Sequence, residues 1–342
     1  MAKKMKAAVL VEKHKLEVQE VDIPSPTADE ILIKVVACGI CHTDEGYIEG
    51  VRTYKPLPLI LGHEASGHVH ELGEAVSEFE VGDPVLIPPV LTCGKCRYCL
   101  AGKETLCSKQ EMLGNHIDGA FAEYITVKAK DVVKIPEGLS LTDLSIVSDA
   151  VATPYHAVYN RAKVKPGDVV VVIGCGGVGI NVVQFASIIG AKVIAIDLQQ
   201  AKLDLAKELG ADLTINPSEG DPKQILKGLG GADIVFEVIG NPTTQQLGFD
   251  LLGAGGKLVL VGYSPKKWDG FRSGKIMFRE LEIIGSLGCP PREFGRILHM
   301  IEKGMIKLEP LITHRFPLED IEKAFEVLRG GEGIRTIVVM DK

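Results

Sequence analysis

Cys93, Cys96, Cys99 and Cys107 fall in one short stretch, Leu91 to Ser108, with the spacing C-x2-C-x2-C-x7-C. Four thiolates this close can surround one tetrahedral ion at Zn–S distances of about 2.3 Å. Sulfur would fill every position, so this zinc would brace a loop and leave no place for a substrate. The competing use of the same cysteines is two disulfides. The first residues, Met1-Ala2-Lys3-Lys4-Met5-Lys6, lead toward a strand and not an apolar signal segment. Thiols in a reducing cytosol stay free for metal, so the expectation is a structural zinc in a cytoplasmic protein.

A second chemistry is written in Gly174-Cys175-Gly176-Gly177-Val178-Gly179, which follows the aliphatic run Val169–Ile173 and opens a helical stretch. This is G-x-G-x-x-G in the setting it needs. Gly174 permits the tight turn, Gly176 lets backbone approach a pyrophosphate, and Gly179 lets helix pack on strand. The helix N-terminus offers free N–H groups to phosphate. Asp197 ends the next strand eighteen residues past Gly179, where a carboxylate can accept from ribose hydroxyls. It would repel a 2′-phosphate, and Leu198-Gln199-Gln200 supply no arginine. The expected cofactor is NAD.

Cys41 in Gly39-Ile40-Cys41-His42-Thr43-Asp44, and His63 in Gly62-His63-Glu64, are also metal-type groups. A catalytic zinc needs three protein ligands and an open position. Spacing does not locate the third, and taken singly Cys41 could be core and His63 a turn histidine.

Two kinds of segment must carry these groups. Up to about Val133 the chain reads as short strands between turns: Met5–Leu10, Glu30–Cys38, Ala65–Leu72, Pro84–Ile87 and Phe121–Val127. From near Leu144 strands alternate with helices. The strands are Val169–Ile173, Lys192–Ile196, Leu213–Asn216, Asp233–Val238, Lys257–Val261 and Glu282–Ser286. The helices are Val178–Ile189, Gln200–Leu209, Gln224–Leu229 and Thr243–Leu252. That alternation predicts a parallel sheet with crossover helices. Helices Glu293–Lys303 and Leu318–Arg329 and the strand Arg335–Met340 follow. A length of 342 residues suits two cores. The net charge of −7 does not invite nucleic acid or anionic membrane, and no apolar stretch is long enough to span a bilayer.

Taken together, Cys41, His63-Glu64, the four-cysteine loop, the glycine fingerprint with Asp197, Phe236-Glu237-Val238-Ile239-Gly240 and Gly333-Ile334-Arg335-Thr336-Ile337 resemble the zinc-dependent medium-chain alcohol dehydrogenases. The resemblance covers nearly the whole chain. It implies an α/β protein: a Rossmann doubly wound parallel sheet plus a GroES-like β-rich catalytic domain, with the active zinc in the cleft. The implied domains are 1–147, carrying the structural zinc loop, 148–288, binding NAD, and 289–342, returning to complete the catalytic domain. Two zinc ions per chain and NAD are implied.

By the same resemblance Cys41 and His63 are catalytic-zinc ligands. Asp149 stands where many members carry a third cysteine, and some bacterial secondary alcohol dehydrogenases share a Cys/His/Asp set. Glu64 resembles a glutamate able to approach the metal, Asp44 the aspartate that orients the ligating histidine, and Thr43 a proton-relay hydroxyl. His42 and Arg335 match pyrophosphate contacts. Thr153, Val178, Val238 and Val261 match positions lining the cofactor, Gly177 belongs to its loop, and Lys202 lies near the adenosine ribose. Cys38 is a rival thiol read as core. Gly46 departs from members that end the relay with a histidine there.

Implied is hydride transfer from a secondary alcohol to NAD, with zinc as Lewis acid and a threonine hydroxyl passing the proton. Gly50-Val51-Arg52-Thr53, Leu57-Pro58-Leu59, Gly114–Gly119 and Ser148–Tyr155 resemble bacterial 6-hydroxycyclohex-1-ene-1-carbonyl-CoA dehydrogenases of anaerobic aromatic degradation. That would make a cyclic hydroxyacyl-CoA the small-molecule substrate, with Arg52 and Lys266–Lys275 as a basic rim for its phosphates. A general alcohol or polyol dehydrogenase is the alternative. A zinc-dependent hydratase acting on a conjugated acyl-CoA and a non-catalytic cofactor-binding protein belong to other classes. Relatives are usually dimers or tetramers, and Leu281–Leu287 is a possible pairing edge.

Overall fold

The computed structural model describes residues 3–51, 53–270 and 272–340. The chain divides into two compact units. One takes in the chain up to Asp149, Pro290–Gly304 and the chain from Leu308 onward. The other takes in Ala150–Cys289 and Met305–Lys307.

The first unit is rich in β-structure. Lys4–Glu12 pairs antiparallel with Lys15–Asp22 on one edge and with Leu59–Ile60 on the other. A larger sheet runs in the order Val133–Lys134, Pro84–Ile87, Glu64–Leu72, Glu30–Gly39, Arg335–Val339, Ile312–Pro317, and Tyr124–Lys128 also pairs with Glu30–Gly39. Glu30–Gly39 is its hub. It buries Ile31, Ile33, Val35 and Cys38 in one core with Leu61, Phe121 and Phe325. Side chains of this kind contribute about 1.5–3 kcal/mol each when fully buried. The Phe121 and Phe325 rings meet edge to face at 6.1 Å. Arg335–Val339 pairs antiparallel with Glu30–Gly39 through Ile337 on Gly39 and Val338 on Cys38, so the last strand closes a sheet begun near the N-terminus.

The second unit is a six-stranded sheet whose pairings are all parallel. The order is Leu213–Ile215, Lys192–Ile196, Val169–Ile173, Ala232–Glu237, Leu252–Leu260, Glu282–Gly285. Numbered along the chain this is 3-2-1-4-5-6, the doubly wound order that leaves a crevice where it reverses, beside Val169–Ile173. Val170 to Ile173 are buried, as a strand covered on both faces requires. The helix after the glycine loop, Gly179–Ile189, is buried on Ile180, Val182, Val183, Phe185 and Ala186.

Several boundaries differ from expectation. The strand predicted over Phe121–Val127 is Tyr124–Lys128. The Ala120 and Phe121 N–H groups donate instead to Gly62 and Leu61, which draws this backbone toward the segment that carries His63. The helix over His42–Ile48 has no counterpart among the expected elements, and Ser273–Arg279 is a helix where a basic loop is expected. Among the described residues no helix is long and apolar enough to cross a membrane.

Candidate functional site

None of the eight cysteines is in a disulfide, so the disulfide reading of the four-cysteine loop fails. Its sulfurs stand 3.6 Å apart for Cys96–Cys99 and 4.0 Å for Cys93–Cys99 and Cys96–Cys107. Two sulfurs on one tetrahedral zinc are about 3.8 Å apart. The loop also aims N–H groups at sulfur: Cys93 and Lys109 donate to Cys107 Sγ at 3.3 and 3.4 Å. The Lys95 N–H lowers the Cys93 thiol, and those of Cys99 and Ser108 hold Cys96 at about 5. Burial pushes Cys99 up to about 12. Four sulfurs at this spacing fit one tetrahedral zinc, which would hold them as thiolates.

The second cluster is assembled from distant segments. Cys41 sits at the start of the His42–Ile48 helix, and His63 follows strand Leu59–Ile60. Asp149 ends the short helical turn Ser145–Ser148. One ligand-type atom each from Cys41, His63, Glu64 and Asp149 lies within 4.8 Å of the others. Cys41 Sγ is 3.8 Å, and His63 Nε2 3.7 Å, from Asp149 Oδ2. Nε2 is buried and has no hydrogen-bond partner among the described residues, and the residue is only 1% exposed. Buried polar atoms rarely stay unpaired. An imidazole lone pair facing a thiol and a carboxylate suits a zinc ion with an open fourth position.

Asp44 fixes the first two of these groups. It is fully buried; Oδ1 accepts from His63 Nδ1 and the Gly62 N–H, both at 3.1 Å, and Oδ2 from the Cys41 N–H at 3.2 Å. With Nδ1 donating, the neutral ring would present its Nε2 lone pair to a metal. Burial opposes charge on His63, but Asp44 and then Asp149 outweigh it and hold the imidazole well above its usual range. The pocket therefore favours a positive charge. Glu64 lies alongside, with both carboxylate oxygens on the buried Arg335 guanidinium, Nε at 3.0 Å from Oε2. Gly39 makes room for it: a Cβ there would come 2.0 Å from Glu64 Oε2. Cys38 is fully buried, and burial first of all pushes its thiol far up, as a core residue. His42 is exposed and Thr43 half-buried on the first turn of the helix.

In the parallel unit the glycine loop has the geometry its spacing demands. Gly174 has φ +95°, a Cβ on Gly179 would lie 1.7 Å from the Gly174 carbonyl oxygen, and a Cβ on Gly176 would meet none of the described residues within 4 Å. The loop is therefore open to a ligand at Gly176. Asp197 Oδ2 accepts from the Cys175 N–H at 2.8 Å and Oδ1 from that of Gln199 at 2.9 Å, which holds the carboxylate beside the loop. Gly177, Val178, Lys202, Val238 and Val261 are half-buried, and Thr153 is buried.

The stretches quoted for the substrate come together in part. The Tyr54 N–H donates to Asn115 Oδ1 at 2.9 Å, the Asn115 amide reaches the Tyr47 hydroxyl, and Lys55 pairs with Asp118. The Tyr54 and His116 rings stack at 4.1 Å. A cavity of about 500 Å³ beside them is lined by Tyr47, Val51, Tyr54 and Leu57. The expected basic rim needs correction. Lys266, Lys267 and Arg272 are exposed, but Lys275 is turned inward. Its ammonium donates to the Phe249 carbonyl at 2.8 Å and lies 3.5 Å from Asp250. Burial outweighs Asp250 and lowers this lysine. Arg52 and Phe271 lie outside the described residues.

Sequence reasoning gave no role of their own to Gly39 and Asn115, which stand in motifs it singled out, and did not foresee the helix His42–Ile48. The last has a signal: C-x-x-D lets Asp44 return to the Cys41 N–H, as a capping box does.

Comparisons with known proteins agree with this geometry. The pattern described as alcohol dehydrogenase GroES-like domain matches residues 27–137, and that described as zinc-binding dehydrogenase matches 177–303. The chain is 37% identical to an alcohol dehydrogenase of Geobacillus stearothermophilus, over 98% of this chain and 100% of that one. It is 34% identical to an L-threonine 3-dehydrogenase of Bacillus velezensis, over 99% and 100%. A zinc-binding dehydrogenase from Sinorhizobium meliloti, solved with NADP bound, superposes with a TM-score of 0.89 at 33% identity, over 98% of this chain and 99% of that one. With a zinc-type pocket, a four-cysteine loop and a dinucleotide fold in one chain, this protein belongs to the zinc-binding medium-chain alcohol dehydrogenase family and is an oxidoreductase.

Proposed function

We propose that the protein oxidises a secondary alcohol to a ketone with NAD, using a zinc ion held by Cys41, His63 and Asp149. The observation that carries this is the buried, unpartnered Nε2 of His63, aimed at a thiol and a carboxylate. A zinc ion held by these residues would supply Lewis acidity toward the alcohol oxygen, and a bound nicotinamide would supply the hydride acceptor. The chain's own groups do the rest. Asp44 orients His63, and Glu64, held by Arg335, keeps a second carboxylate beside the metal ligands. Thr43 Oγ1 accepts a hydrogen bond from the alcohol and takes its proton while releasing its own hydroxyl proton toward solvent through the cofactor ribose. The glycine loop and the helix Gly179–Ile189 take the pyrophosphate, with His42 and Arg335 as further phosphate contacts. Asp197 and Lys202 hold the adenosine ribose, and Thr153, Val238 and Val261 line the cofactor. Cys93, Cys96, Cys99 and Cys107 hold the structural zinc. Residues 1–147 and 289–342 form the catalytic domain and 148–288 the NAD domain. The enzyme works in the cytoplasm as a dimer or tetramer; the outermost parallel strand, Glu282–Gly285, is the sheet edge offered to a second copy.

The finer reading names a cyclic hydroxyacyl-CoA as substrate. It is supported by the resemblance of stretches 50–53, 57–59, 114–119 and 148–155; Gly50, Val51, Thr53 and Leu57 line the cavity at Tyr47 and Tyr54, and Asn115 accepts from the Tyr54 N–H. Initial rates of NADH and NADPH formation over a panel of CoA esters, free hydroxy acids, simple alcohols, polyols and threonine test both levels. NADH formation on secondary alcohols supports the general reading, and a CoA ester at least about tenfold better in kcat/KM supports the finer one. Equal rates on ethanol, sorbitol and the thioester would remove the finer reading. A preference for NADPH would overturn the role given to Asp197. Turnover without cofactor would favour hydration.

A further inference from the structure

Glu237 closes the strand Ala232–Glu237 and is fully buried. One oxygen, Oε1, accepts from the Ile239 N–H at 3.0 Å, the Gly240 N–H at 2.9 Å and the Thr244 hydroxyl at 2.9 Å, whose single proton is shared with the Asn241 carbonyl at 2.8 Å. The other, Oε2, is buried and has no hydrogen-bond partner among the described residues. The Glu237 carbonyl accepts from the Val261 and Gly262 N–H groups at 2.9 and 3.1 Å, and the Val238 N–H donates to the Ile173 carbonyl at 3.2 Å. The residue and its turn thus tie together the C-terminal ends of three neighbouring strands, the edge where ligands of doubly wound sheets bind.

The turn bears directly on the glycine loop. A Cβ on Gly174 would come 2.6 Å from Ile239 Cγ1, and one on Gly179 3.0 Å from Val238 Cγ2. Gly240, at φ +78°, lies so close to the Tyr263 carbonyl that a Cβ would come 2.0 Å from its oxygen. Burying a carboxylate is costly unless it is well bonded, and the strand core has no need of one. Its three donors all belong to this turn and the helix that follows it.

We propose that Glu237 is a positioning residue for the dinucleotide: its carboxylate fixes the 237–240 turn so that Val238 and Ile239 buttress the glycine loop before cofactor arrives. The proposal rests on the NAD-linked reading above. NADH fluorescence titration of the full-length, zinc-loaded protein tests it without any alcohol. Glu237→Ala removes all three bonds. Glu237→Gln keeps the Oε1 acceptor and alters only the oxygen that has no partner. Thr244→Val removes one donor. Expected is NADH binding weakened about tenfold or more by Glu237→Ala and two- to threefold by Thr244→Val, with Glu237→Gln within about threefold of wild type. In Glu237→Ala, kcat at saturating cofactor and KM for alcohol should stay within about threefold. A folded Glu237→Ala protein with wild-type NADH affinity would overturn the proposal. So would equal weakening by Gln and Ala, or a loss in kcat with cofactor binding intact. Should Glu237→Ala fail to fold, unchanged NADH binding in Thr244→Val would overturn it. Wild-type protein that bound no nicotinamide cofactor would sink the NAD reading itself.

Discussion

The two zinc-type clusters are built in opposite ways. The Cys93–Cys107 loop draws four sulfurs from fifteen consecutive residues, and its own backbone N–H groups point at them. The Cys41 pocket brings together groups up to 108 residues apart, and a buried aspartate orients two of them. The first offers an ion four sulfurs and no opening. The second offers sulfur, nitrogen and carboxylate oxygens from Asp149 and Glu64, and in the proposed ligand set of Cys41, His63 and Asp149 one position is left for a substrate. A closed site can be local because it has only to hold an ion. An open site must also face a substrate, so its ligands sit on separate elements that leave one side clear.

If that contrast is right, damage to the two sites should read out differently. The largest effect is expected from Cys41→Ser, which should lower kcat/KM by about a thousandfold or more, since Lewis acidity supplies several kcal/mol of transition-state stabilisation. The thermal midpoint should fall by only a few degrees. Asp44→Asn should cost about 10- to 100-fold in zinc affinity or activity, because it acts through His63; added zinc should restore part of the rate. Cys96→Ser should change kcat/KM by no more than about threefold in the cold yet lower the midpoint by roughly 10 °C, as loss of a structural metal removes folding free energy. Calorimetry beside steady-state rates checks all three. Similar profiles for Cys41→Ser and Cys96→Ser would break the comparison.

The same contrast decides how much of each site is legible in the amino-acid sequence. The four cysteines read as a site because their neighbours in sequence are their neighbours in space. The glycine loop is legible for a like reason: strand, turn and helix are contiguous, and Asp197 lies one strand on. Asp149 cannot be placed by spacing; only the family resemblance points to it, because its contact with Cys41 and His63 depends on how distant strands stack. The helix His42–Ile48 is too short to show a period, and it is held by Asp44 bonding back to the Cys41 N–H. Lys275 reads as a surface charge, yet its ammonium sits over the Phe249 ring, 4.3 Å from the ring centre. Charge in a sequence does not say which way a long side chain runs.

The most direct test is the zinc content per folded chain of wild type and Cys41→Ser, measured by mass spectrometry of the metal after exhaustive desalting. Two ions are expected in the wild type and one in the variant, the survivor being the one lost in Cys96→Ser. A single zinc in active wild-type protein, or two retained in an inactive Cys41→Ser protein, would contradict it.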